Sequence, residues 1–142
     1  MSLPEPERGL VICYSYLWSR EASEGTEEGR KNRPCVIIAG VKRVESGQTI
    51  VTVLPMTHSE PDDPATAVEI PLATKRRLGL DAERSWVMVD EANQFVWPGY
   101  DLQKIPGRDA YHYGFLPPRL FDDVLEKARE WLKQHGIKLT PR

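Results

Sequence analysis

Gly9-Leu-Val-Ile-Cys-Tyr-Ser-Tyr-Leu17 and Cys35-Val-Ile-Ile-Ala39 decide the fold class. Both runs are dominated by Val, Ile, Leu and Tyr, residues suited to a pleated, packed surface, so both read as strands. The second is apolar throughout, as expected of a strand buried on both faces. Between them, Trp18 to Asn32 is nearly devoid of apolar residues and is punctuated by Gly25 and Gly29. It reads as a long polar loop, a type of connection that is usually functional or disordered. Downstream, Gln48 to Leu54 follows the Ser46-Gly47 turn signal and forms a hairpin with the preceding strand. Shorter strands are expected at Ala67 to Pro71 and Ser85 to Val89. A helical turn from Thr74 to Leu78 stops at Gly79, and Asp90 to Trp97 stops at Pro98-Gly99. Leu120, Phe121, Val124, Leu125, Ala128, Trp131 and Leu132 then fall on one stripe at helical spacing. Pro117 and Pro118 precede that helix and Gly136 closes it. Strands followed by one terminal amphipathic helix predict a mainly β fold with a C-terminal α-helix, a small barrel carrying the helix on its side.

The chain has 142 residues, which suits one domain, with residues 1–8 as a flexible lead-in. Hydrophobic residues make up 40% and charged residues 28%, ordinary values for a soluble globular protein. No run approaches the length needed to span a membrane, and the first residues lack the pattern of a signal peptide. Cys13 and Cys35 lie inside strand-type runs, outside any CxxC or Cys/His cluster. They read as small buried hydrophobes in a cytoplasmic protein, with no metal or other cofactor expected. A net charge of −2 argues against a protein that grips long duplex DNA with its whole surface.

One ordered set of residues carries a resemblance. Gly9 opens the first strand, and the polar loop after it contains Glu21. Arg33-Pro34 begins the apolar strand, and the hairpin's return strand ends in Pro55-Met56-Thr57. Val89-Asp90-Glu-Ala-Asn-Gln-Phe-Val-Trp97 and Tyr113-Gly114-Phe115-Leu116 follow before the final helix. In this order the features resemble the PemK/MazF (Kid-like) family of type II toxin–antitoxin toxins, over about Gly9 to Leu132. The chain departs from the family pattern in a longer, more acidic first loop. It also has extra residues in Ser59 to Thr66 and Asp101 to Ala110, and Trp97-Pro98-Gly99 where the family has a basic stretch.

The resemblance implies an SH3-like or CcdB-like barrel, a homodimer and a metal-independent endoribonuclease that cuts single-stranded RNA. It also implies an antitoxin partner whose disordered tail folds over the RNA groove. The implied reaction is attack of a ribose 2′-OH on the neighbouring phosphate. Arg33 suits stabilisation of the added negative charge, because its planar guanidinium donates parallel bonds to phosphate oxygens and is a poor proton donor. Its plain alternative is a strand-initial residue paired with a loop glutamate. Thr57 can donate its hydroxyl to phosphate, or simply cap a turn. Glu21 is the match for the family's loop glutamate and the candidate base, with Glu24, Glu27 and Glu28 sharing the loop. Trp18, Arg30 and Lys31 are candidates for stacking and phosphate contact, His58 for proton transfer, and Asn93 and Gln94 for reading base edges. Lys75-Arg76-Arg77 reads as a solvated helix face. Two rival functions use the same barrel: a non-catalytic RNA- or protein-binding module, and a gyrase-inhibiting toxin.

Overall fold

The structure is a computed structural model that describes residues 3–25 and 31–142. Its elements are β1 (Leu10–Tyr14), α1 (Ser19–Ser23), β2 (Arg33–Lys42), β3 (Thr49–Thr57), a 3-10 turn (Pro64–Thr66), β4 (Ala67–Glu69), α2 (Leu72–Leu78), β5 (Trp86–Met88), β6 (Glu91–Val96), β7 (His112–Phe115), α3 (Pro118–His135) and β8 (Lys138–Pro141). The fold is mainly β with a C-terminal helix, as the strand-rich first part and the apolar stripe require. Strands pair in the order β4-β5-β3-β2-β1-β7.

Strand β3 is the pivot of this path. Its N-terminal half pairs with β6, Ile50 opposite Val96, and its last residues pair with β5, Met56 opposite Val87. A bulge at Ile38 in β2 bends the hairpin at the same level. The two ends of the path, β4 and β7, do not pair, so the sheet is not closed into a barrel. Helices cover the opening: α3 packs on β4 and the 3-10 turn, and α2 packs on β7.

The central strands are apolar on successive residues because both of their faces are covered. Val11, Val36, Leu54 and Met56 point into one core with Leu120, Val124 and Ala128 of α3. Leu10, Ile12, Tyr14, Cys35, Ile37, Val51 and Val53 point into a second core, rich in aromatics, with Tyr16, Phe95 and Leu102. Cys13 and Cys35 are both buried free thiols. Leu132, at the far end of the stripe on α3, stays exposed.

Two elements depart from the sequence reading. The polar loop contains the short helix α1, held by an N-terminal box in which the Glu21 carboxylate accepts the Trp18 N–H at 3.2 Å. The C-terminal β8 pairs in parallel with β6, Glu91 opposite Lys138. Arg142, which follows β8, donates to the Ser15 carbonyl at 2.6 Å and to Asn93 Oδ1 at 3.0 Å, and pairs with Asp101 at 2.9 Å.

Leu54 is fully buried between the hairpin and α3, whereas Val44 at the hairpin tip is 98% exposed. Leu54→Ala is expected to cost about 2–5 kcal/mol in urea unfolding, and Val44→Ala less than about 0.5 kcal/mol. Equal costs would contradict this placement of the core.

Candidate functional site

Arg33 and Thr57 are brought together by strand register. In the hairpin Cys35 stands opposite Pro55, and continuing that register by one pair of residues sets Arg33 across from Thr57. Arg33 Nη1 donates to the Met56 carbonyl at 3.2 Å, and its guanidinium lies 4.9 Å from the centre of the Trp18 ring. Such a stack holds the planar cation without using its edge. Its Nε is buried and has no hydrogen-bond partner among the described residues. Burial pulls the guanidinium below its ordinary range, and the Glu21 carboxylate opposes that pull. A partly desolvated cation with an unused donor is a strong attractor for an anion.

Two clefts meet at this pair. The first, about 730 Å³, is lined by Trp18, Arg20, Glu21, Lys31, Arg33, Thr57, His58 and the acidic loop Glu60 to Asp63. The second, about 440 Å³, shares Lys31, Arg33, Thr57 and His58 and continues past Lys75 and Asp81 to Arg108. The two clefts therefore form one groove that runs past Arg33 and Thr57.

Of the residues singled out from sequence, Arg33, Thr57, Glu21, Trp18, Lys31 and His58 converge here. Arg30 lies outside the described residues, as do Glu27 and Glu28. Trp18 stacks on Arg33, meets Tyr16 edge-on at 5.0 Å and lies 5.5 Å from the Arg20 guanidinium, so the protein already uses its ring. Asn93 is not placed to read a base. It is fully buried and clamps Leu17, accepting that residue's N–H at 2.9 Å and donating to its carbonyl at 2.8 Å. Gln94 lines neither cleft; its amide donates to Thr52 Oγ1 at 3.3 Å.

Neighbouring Glu91 does for the start of α1 what Asn93 does for Leu17. One of its oxygens accepts the Ser19 N–H at 2.9 Å and the Tyr16 hydroxyl at 3.1 Å. These two β6 side chains, two residues apart and so on one face, fasten the segment that carries Trp18 and Glu21.

Several groups at the site were not anticipated. Asp90 lines the first cleft, with one buried oxygen unpartnered among the described residues, and burial raises its carboxyl above the usual range. Lys75 is a correction to the basic triplet: Arg76 and Arg77 are exposed, but Lys75 is buried at 2% exposure. Its ammonium donates to Asp81 Oδ1 and Ser85 Oγ, each at 2.6 Å, and to the Glu83 carbonyl. Partial burial disfavours the Asp81 charge, but Lys75 and His58 outweigh it and hold that carboxyl below its usual range. The spacing of Lys75 and Leu78, three apart and both buried, is the sequence signal for this inward face.

The family model for the PemK-like, MazF-like toxin of type II toxin–antitoxin systems matches residues 16–132. No curated protein matches the chain.

Burial raises the Glu91 carboxyl above its usual range, against the Ser19 N–H and the Tyr16 hydroxyl, which lower it. The folded state therefore binds this proton more tightly than the unfolded chain. Its favourable contribution is complete below the ordinary glutamate value of about 4.3 and is lost as pH rises through the higher folded value. Glu91→Gln keeps the acceptor without the charge. Its Tm is expected to exceed that of wild type near pH 7, with the gap closing towards about pH 4. A constant or reversed gap would contradict the burial argument.

Proposed function

The chain belongs to the PemK-like, MazF-like toxin family of type II toxin–antitoxin systems, and on that premise we propose that it is a sequence-selective endoribonuclease acting on single-stranded RNA. The observation that carries the proposal is Arg33. It is a partly buried guanidinium, its Nε unpartnered among the described residues, beside a threonine hydroxyl at the junction of two clefts.

In this reading Arg33 and Thr57 hold the phosphate and stabilise the charge that builds on it as the ribose 2′-OH attacks. Glu21 acts on that 2′-OH proton. Its field already reaches Arg33, which supports placing it beside the phosphate. Lys31 contributes phosphate contact from the rim of both clefts. Products are a cyclic phosphate and a free 5′-OH, a rearrangement that consumes no water. The antitoxin implied by the family would occupy the same clefts and compete with RNA, and the active species is a homodimer.

Arg33→Ala should remain folded and lose about 100-fold or more in kcat on RNA in EDTA-containing buffer. Arg33→Lys should recover little of it, because a point charge replaces neither the planar stack nor the parallel donors. RNA binding should weaken as salt rises. Equal cutting by wild type and Arg33→Ala would defeat the assignment of Arg33. No cutting by wild type would leave the clefts to a binding role.

A further inference from the structure

His58 stands beside the phosphate site in a setting that the cleavage scheme leaves unused. It directly follows Thr57 and lines both clefts. Its Nε2 lies 2.8 Å from Asp81 Oδ2, and its Nδ1 lies 3.2 Å from Glu83 Oε2. A neutral imidazole has one N–H and an imidazolium has two. Only the imidazolium donates to both carboxylates.

The two carboxylates are not held alike. Asp81 is pinned from behind by the buried Lys75 ammonium, which Ser85 and the Glu83 backbone also secure. The Glu83 carboxylate is 72% exposed, and an ion pair that open to water contributes little. Nδ1–H is therefore the exchangeable end of the ring, and Nε2–H is the anchored one. This is the arrangement of an oriented proton donor, with one nitrogen fixed by a carboxylate and the other free to turn to substrate.

We propose that His58 is the general acid of RNA cleavage, delivering Nδ1–H to the departing 5′ oxygen, with Asp81 and Lys75 as positioning residues. This rests on the endoribonuclease reading above. As the O2′–P bond forms and the P–O5′ bond breaks, the 2′-OH proton passes to the carboxylate base. The His58 proton passes to the 5′ oxygen, leaving a cyclic phosphate, a 5′-OH and a neutral imidazole. Arg33 cannot fill this role well, because its proton is held too tightly. His58, Asp81 and Glu83 also bring ligand atoms within 4.8 Å of one another, as a cation site would. The Lys75 ammonium already supplies positive charge at Asp81. Other charged groups sharing the clefts with His58 are Arg33 and Lys31 from the β2 side, Arg20 and Glu21 of α1, Asp90 before β6, Arg108 before β7, and Glu60, Asp62 and Asp63 on its own loop.

A long mixed-sequence RNA first locates a cut junction. An oligonucleotide with that junction is then made twice, with oxygen and with sulfur at the bridging 5′ position. A thiolate departs without being protonated, so the sulfur substrate needs no acid. His58→Ala and His58→Gln should each lose about 100-fold or more in kcat on the oxygen substrate, with KM changed less than about threefold. Both should cut the sulfur substrate within about 10-fold of wild type, whereas Arg33→Ala stays slow on both. Asp81→Asn should lower kcat on the oxygen substrate and leave the sulfur substrate nearly unchanged, as a positioning role at the acid requires.

Wild-type rates in His58→Ala, equal losses on oxygen and sulfur, or rescue by His58→Gln would overturn the proposal. So would loss of wild-type activity in EDTA that added Mg²⁺ restores, which would make the trio a cation site. Wild type cutting no RNA at all would remove the endoribonuclease reading and this proposal together. Failure at His58 alone leaves that reading standing.

Discussion

Covering both faces of β1, β2 and β3 is the constraint on which the rest of the structure depends. These strands are apolar on consecutive residues, so a single core beneath the sheet would leave half of that surface in water. Helix α3 covers one face, and the aromatic group around Tyr14, Tyr16 and Phe95 covers the other. The sheet stays unclosed, with α3 packed on its β4 end and α2 on its β7 end. Arg33 and Thr57 sit where two of these doubly covered strands emerge. Their backbones are fixed by the ladder, and only their side chains face solvent.

Charge is distributed unevenly around that rim. Arg33 is lifted partly out of water and steadied by a ring. Lys75 is the opposite case: fully enclosed, it spends its donors on protein oxygens and so becomes a structural cation. A permanently paired charge cannot bind a ligand, but it can hold another group in place. The acidic loop Glu60 to Asp63 faces the first cleft, Lys31 and Arg33 line both, and Arg108 lines the second, so charge varies along the groove.

The strands at Leu10, Cys35 and Thr49, and helix α3, were legible because their apolar patterns are long and unbroken. The site was legible in part. Arg33 and Thr57 stood out by residue type and order, yet their adjacency depends on a register that the bulge at Ile38 offsets by one residue. Asn93 and Lys75 were misread for one shared reason. Residue type predicts exposure for asparagine and lysine, and only tertiary packing shows that their polar atoms are satisfied inside. Helix α1 escaped because its residues are polar and its ordering comes from Glu91 and Asn93, over 70 residues away. Strand β8 escaped because Lys138-Leu-Thr-Pro141 is short and begins with a charge.

The clamp at Arg142 bears on where this protein can be divided. The region recognised as the family's, residues 16–132, contains neither β1 nor β8. Removing β1 would take the strand between β2 and β7 out of the sheet. Removing Arg142 would strip a buried cation from Asp101, Asn93 and the Ser15 carbonyl at once. Asn93 is the residue that holds Leu17, next to the tryptophan beneath Arg33. A piece cut to residues 16–132 would thus lose the footing of the Arg33 rim, which lies in the flanking residues.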